Sequence, residues 1–400
     1  VFTMKITSVE IFKGYAIVVK INTDEGISGF GESGLAYGNS AEAAFGQCQD
    51  YAKLILGMDP MNTEEIWDHL HRHTFWGMGG GAVEVGAMSA IDIACWDIKG
   101  KKFGVPVYQL LGGKTNDNLR TYASQIQFGW GTGTAGEIAG SVNLPGIMRT
   151  PEDYYNATKK CIEAGFDAVK VDPVFNPMEG LSMATQGCHH RGAFHHADLR
   201  LATERVAAIR EAGGEDLDII IELHSLLDAN TSVELGLNIQ KYRIMYMEEP
   251  TQPLNPALFK VIQSKIDIPL ATGERSYTRW GFRQFFEDRS LSIVQPDMCN
   301  TGGFTECKKI CDAAHTYDIG VQLHVCGGPI ATAAALQLEA VIPNFVIHEH
   351  HVGAIQPICT NTCLYDYEPI NGRFKVPELP GIGQELTKEE MEKCRKVVIQ

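Results

Sequence analysis

The rhythm of apolar and polar positions changes about a third of the way along the chain. Up to about residue 35 it is that of antiparallel strands: Ile17-Val18-Val19-Lys20-Ile21 is β-branched, and Asp24-Glu25-Gly26 carries turn chemistry. Apolar residues then recur at helical spacing from about 41 to 57, from 62 to 73, and from Ala82 to Lys102, and Gly112-Gly113 ends the block. A sheet followed by a run of helices predicts an α+β unit over residues 1–118.

From residue 119 short β-rich runs alternate with helical stretches. The runs are Leu119 to Ser124, Ala168 to Asp172, Ile219 to Leu223, Ile244 to Glu248, Pro269 to Glu274, Leu291 to Asp297, Gly320 to His324 and Asn344 to Glu349. Helix signals lie between them, such as Thr150-Pro151-Glu152-Asp153, a cap followed by proline and acids in the first turn. Eight alternations predict an α/β fold of the TIM-barrel type over residues 119–353, since an open doubly wound sheet usually has fewer strands. Beyond Gly353 the repeat is lost, Phe374 to Gly383 reads as extended, and residues 354–400 are expected to return to the first unit. The stretch from 173 to 197 is too long for an ordinary connection and reads as a lid. Its His189, His190, His195 and His196 lack cysteine or acidic partners at ligand spacing, which favours a lid or solvated loop over a metal site.

Composition narrows the function classes. Four hundred residues with 44% hydrophobic content can bury a large core, and no apolar run is long enough to span a membrane. Eleven cysteines, without a Cys-x-x-Cys pair, fit reduced thiols in a cytoplasmic protein better than a disulfide framework. A net charge of −15 repels nucleic acid and anionic lipid. An acidic substrate must therefore be received by a local cluster of cations or by a metal.

The strand runs end in polar residues: Asp172, Glu222 with His224, Glu248 with Glu249, Glu274, Asp297, His324 and Glu349. A parallel barrel gathers the carboxyl ends of its strands on one face. From Glu222 onward to His324 the successive ends are 23 to 27 residues apart, about one βα unit each. Glu222, Glu248 and Glu274 on three successive strands make an all-oxygen site without sulfur, a donor set that suits Mg²⁺ over zinc.

Taken together, Ile221-Glu222, Met247-Glu248-Glu249-Pro250, Ala271-Thr272-Gly273-Glu274-Arg275, Gln295-Pro296-Asp297 and Leu323-His324 resemble the mandelate racemase subgroup of the enolase superfamily. Ser89-Ala90-Ile91-Asp92, Trp96-Asp97-Ile98-Lys99-Gly100 and Leu110-Leu111-Gly112-Gly113 extend the resemblance into the first unit. It implies a modified (β/α)7β barrel with an α+β capping domain, in which a metal holds a substrate carboxylate while a base removes the neighbouring proton, giving an enediolate. By the same resemblance His324 is the base and Asp297 its partner, and His224 is the acid that helps a hydroxyl leave, as in acid-sugar dehydratases of the family. Lys170, Asp172, Glu349, Trp76 and Arg275 are the expected substrate-binding residues, and a homo-oligomer is the expected assembly. The segments Glu32 to Asn39 and Phe75 to Gly81 correspond to loops that close over the barrel.

Two departures matter. Lys170-Val171-Asp172 stands where racemases of the subgroup carry Lys-x-Lys, so a two-base racemase is disfavoured. Glu222 replaces the commoner aspartate and is longer by one methylene, which shifts the ion. The leading expectation is Mg²⁺-dependent dehydration of an aldonate-type sugar acid to its 2-keto-3-deoxy product. Competing readings are a cycloisomerase or epimerase using the same enediolate, and a non-catalytic sugar-acid sensor.

Overall fold

The computed structural model describes residues 3–34, 40–130, 148–175 and 192–400. Most of the expected lid, including His189 and His190, lies outside the described residues, as do positions 35–39 of the first capping loop.

The chain opens with three antiparallel strands, β1 (Ile6–Lys13), β2 (Ile17–Thr23) and β3 (Ser28–Ser33). Helices α1 (Ala41–Ile55), α2 (Thr63–Arg72) and α3 (Ala82–Phe103) follow, then the single turn α4 (Val107–Leu110). Helix α3 is buried on nearly every side because it is sandwiched between this sheet and the barrel. Glycine at position 31 permits that approach, since a Cβ there would run into the Ala90 carbonyl.

Eight parallel strands then form the barrel: β4 (Asn118–Ser124), β5 (Ala168–Val171), β6 (Asp218–Glu222), β7 (Ile244–Glu248), β8 (Leu270–Thr272), β9 (Ile293–Val294), β10 (Gly320–Val321) and β11 (His348–His351). Each pairs with its sequence neighbour, and β11 pairs with β4. The ring closes where Val321 exchanges backbone bonds with Asn344 and Val346. Seven helices alternate with the strands among the described residues: α5 (Pro151–Glu163), α6 (His196–Gly213), α7 (Ala229–Ile239), α8 (Ala257–Gln263), α9 (Thr278–Asp288), α10 (Gly303–Thr316) and α11 (Pro329–Glu339). This is the (β/α)7β arrangement. Thr150 caps α5 in a capping box with Asp153, as the sequence signal predicts.

Side-chain alternation along the strands sorts the core into layers. Val169, Val171, Ile219, Ile221 and Met247 face outward to the helices. Tyr122, Ala168, Ile220, Tyr246, Ala271, Ile293 and Ile347 form an inner apolar layer. Two residues further along, the same inward face carries Lys170, Glu222 and Glu248. The barrel is thus plugged by hydrocarbon below and charged above.

After the barrel come α12 (Pro357–Thr360), β12 (Arg373–Lys375), α13 (Lys388–Lys393) and β13 (Arg395–Ile399). β13 completes the first sheet by pairing with β1, whereas β12 pairs with β4 of the barrel. Among the described residues ten cysteines are free thiols, most of them buried. No described helix is long and apolar enough to cross a membrane.

Candidate active site

The carboxyl ends of β6, β7 and β8 bring Glu222, Glu248 and Glu274 together, with one oxygen of each within 4.8 Å of the others. Glu222 and Glu248 are direct cross-strand neighbours in the parallel register. Like charges so placed repel, and both are buried. Burial, with Glu274 adding, raises Glu222 to about 7 against the pull of Lys170. Burial and the Glu222 charge push Glu248 well above the carboxylate range, again against Lys170.

Lys170, on the inward face of β5, is the side-chain cation shared by Glu222, Glu248 and Glu349. Its Nζ is 2.7 Å from Glu248 and from Glu349, and 3.5 Å from Glu222. Burial works against its charge, but these carboxylates hold it well above the ordinary lysine value. Arg275 points the other way, bonding Glu249 at 2.6 Å and Glu274. Glu249 itself is buried with positive φ and also accepts from Ser225 and Thr272. Lys170 alone cannot neutralise Glu222, Glu248 and Glu349, and Glu222 Oε2 and Glu248 Oε2 are buried without a hydrogen-bond donor. Orphaned, converging hard oxygens fit a divalent cation held by Glu222, Glu248 and Glu274.

Two histidines flank the trio, each backed by an aspartate. His324, just past β10, places Nδ1 2.7 Å from Asp297 Oδ2 and Nε2 3.1 Å from Glu274. Although burial opposes its charge, Glu274 and the Asp297 bond raise it to about 10. In turn Glu274 is lowered to about 2, Arg275 and His324 overcoming the effect of burial. On the other side His224 Nδ1 lies 3.1 Å from Asp172 Oδ2.

Asp172, expected among the substrate contacts, is occupied at both oxygens, since Oδ1 accepts from Val174 N. Around it runs a closed circuit of hydrogen bonds. The Asp172 N–H donates to Gln127 Oε1, Gln127 donates to Gln125 Oε1, and Gln125 Nε2 meets His224 Nε2 at 3.3 Å. A backbone N–H can only donate, which fixes the orientation of both amides and presents a Gln125 N–H to His224. His224 therefore carries its proton on Nδ1, toward Asp172. Gln125 and Gln127 carry no sequence signal, because neutral amides leave no signature at a strand end.

Glu349 accepts from Ser124 Oγ at 2.6 Å and from Val325 N at 2.9 Å, and Lys170 helps hold it below the usual range despite burial. Trp76 stands apart: it is 75% exposed, and its ring contact among the described residues is with Phe75.

A barrel of this connectivity, with three acids on successive strands between two His–Asp pairs, defines a class, and comparison with known proteins gives the family. Residues 2–112 match the mandelate racemase / muconate lactonizing enzyme N-terminal domain, and residues 153–391 match the enolase C-terminal domain-like family. The chain belongs to the mandelate racemase/muconate lactonizing enzyme family of the enolase superfamily. It is 32% identical over 395 residues to a D-galactonate dehydratase of Pectobacterium atrosepticum, covering 96% of this chain and 93% of that protein. An enolase superfamily member from Salmonella Typhimurium is 51% identical with a TM-score of 0.93, covering 99% of this chain and all of that one. The 3,6-anhydro-D-galactonate cycloisomerase of Zobellia galactanivorans superimposes with a TM-score of 0.79 at 26% identity, covering 97% of this chain and 98% of that one.

Proposed function

We propose that the chain is an acid-sugar dehydratase, converting an aldonate-type sugar acid to its 2-keto-3-deoxy product. The observation that carries this reading is the pair of histidines, His324 and His224, on either side of the acidic trio, each fixed by its own aspartate. Proton abstraction beside a carboxylate followed by loss of a neighbouring hydroxyl requires a base and an acid at one centre.

Glu222, Glu248 and Glu274 would hold Mg²⁺, which when bound supplies the positive charge that steadies the carboxylate as its α-carbon loses a proton. Asp297 orients His324 through Nδ1, leaving Nε2 as the nitrogen that takes the C2 proton. Glu274 occupies Nε2 at 3.1 Å, so its charge must be engaged elsewhere before His324 can act as a base. Lys170 and Glu349 lie beside the trio, where they position the substrate carboxylate. His224 serves the hydroxyl leaving C3: with a proton on Nε2 in place of the Gln125 contact, it gives that proton to the departing oxygen, which leaves as water.

Turnover of a panel of hexonates, pentonates and aldarates by Mg²⁺-loaded protein tests the reading, and D-galactonate belongs in it because relatives carry that activity in their names. A 2-keto-3-deoxy acid from at least one member is the expected result; folded, metal-loaded protein that converts none of them would defeat the proposal. The likeness to a cycloisomerase supports a second reading, in which the same first step ends without loss of hydroxyl. NMR of the product in D₂O separates them, since deuterium at C2 with every hydroxyl retained favours isomerisation.

A further inference from the structure

His351 closes β11 two residues beyond Glu349. Alternation puts both on the inward face and turns His348 and His350 outward. Their contacts agree, His348 pairing with Glu339 of α11 and His350 with Glu368, while Glu349 turns in to Lys170. One step past Glu349 in the strand direction is the mouth of the barrel. There His351 feels the charges of Glu349, Lys170 and His324.

The tautomer of this ring is fixed by the chain itself. In the turn after β11 the Gly353 N–H donates to His351 Nδ1 at 3.0 Å. Nδ1 must then carry the lone pair, which leaves the proton of the neutral ring on Nε2. A second proton would set two N–H groups against each other. Burial, reinforced by Lys170 and His324 and opposed by Glu349, lowers the ring to about 4, so it stays neutral at physiological pH. The turn packs tightly against the ring, since a Cβ on Gly353 would lie 3.1 Å from Nδ1 and 3.4 Å from the Tyr15 hydroxyl. No described residue accepts a hydrogen bond from Nε2.

We propose that His351 is a substrate-binding residue whose neutral Nε2–H donates to a hydroxyl oxygen on the chain of the sugar acid. The inference rests on the sugar-acid reading above for the identity of its ligand. A substrate carboxylate is drawn to the cation site and to Lys170, where charge is available. A neutral donor offers no such compensation, but it selects the lone pair of a hydroxyl and thereby the orientation of the carbon that bears it. Together with Glu349, two residues back, it gives β11 an acceptor and a donor on one face.

Two measurements test this. In ¹⁵N NMR of histidine-labelled, Mg²⁺-loaded protein, with His351 assigned by its loss in His351→Gln, Nε2 is protonated and Nδ1 bare at both pH 6 and pH 7.5. A proton on Nδ1, or a doubly protonated ring at pH 6, overturns the proposal. In kinetics with whichever panel acid turns over fastest, His351→Phe raises KM about tenfold, the scale of one lost hydrogen bond, with a smaller change in kcat. His351→Gln, which keeps an N–H donor, recovers most of that loss; an unchanged KM in His351→Phe, or no recovery in His351→Gln, overturns it. Should His351→Phe not fold, the native Nε2 resonance must move on saturation with the same acid, and a stationary signal is equally fatal. The NMR of the resting protein needs no substrate, so a panel without turnover defeats the dehydratase reading and leaves the tautomer result to stand or fall separately.

Discussion

Asp297 and Asp172 perform one operation on two different rings, each accepting at Nδ1 and leaving Nε2 for other partners. The partners differ: His324 Nε2 faces a carboxylate, and His224 Nε2 faces an amide N–H. Substitution should therefore split the reaction into its halves. His324→Asn is expected to abolish both C2 deuterium exchange and product formation. His224→Asn should retain the exchange while product formation falls about 10²–10⁴-fold, the range for loss of a general acid. Equal loss of exchange in both variants would mean that His224 does not act after proton abstraction. The acids and His324 are legible in sequence because each follows an apolar run, and a strand end in a barrel is a predictable place. Gln125, Gln127 and His351 are not, because their roles come from a turn geometry and from pairings across as many as 99 residues, which no local pattern encodes.

Strand length is where pattern and structure part. The runs Leu291 to Asp297 and Gly320 to His324 hold regular strand over only two residues each, Ile293–Val294 and Gly320–Val321, because an apolar run reports burial; single backbone bonds, from Gln322 N to Val294 O and from His324 N to Pro296 O, carry the pairing on to the site. Behind His324, α11 is anchored by a residue of the capping sheet: both oxygens of Glu32 on β3 accept backbone donors, from Gly328 at 2.6 Å and Ala331 at 3.0 Å. A Cβ at position 327 would fall 2.5 Å from Glu32 Oε1 and 2.8 Å from Ala331 Cβ. Gly327→Ala should accordingly destabilise the fold by about 1–3 kcal/mol, measured by urea unfolding, and an unchanged midpoint would show that the loop yields freely. Burial raises Glu32 to about 7 from 4.5, against its two backbone donors and with help from Asp297. The folded state then holds this proton more tightly than the unfolded chain. Its stabilising contribution is complete below pH 4.5 and is lost as pH rises to about 7. Between pH 4.5 and 8 the stability of Glu32→Gln relative to the native protein should improve by about 2–3 kcal/mol, and a difference that ignores pH would exclude a raised Glu32.

Both parts of the molecule converge on the same loops. Besides Glu32 on α11, Asp92 of α3 accepts from Thr305 N at the start of α10, and Trp67 and Trp96 donate to Gly302 and Thr305. These are buried or partly buried polar contacts, and separating the capping part from the barrel would leave each donor or acceptor without its partner. The two parts should therefore unfold together. The three carboxylates proposed to hold the cation, in contrast, sit at the ends of barrel strands alone. If the contacts couple the parts, a cation at the barrel mouth stabilises the capping sheet as well. At 100 times its dissociation constant Mg²⁺ would add about 2.7 kcal/mol to the whole molecule. Thermal unfolding followed by circular dichroism and by hydrogen exchange in β1 to β3 should show one transition that moves up with Mg²⁺ in both signals. In Glu248→Gln, which removes one ligand charge, that shift should largely vanish. Two transitions, with only the barrel responding to the ion, would mean that the capping part rests on the barrel without sharing its stability.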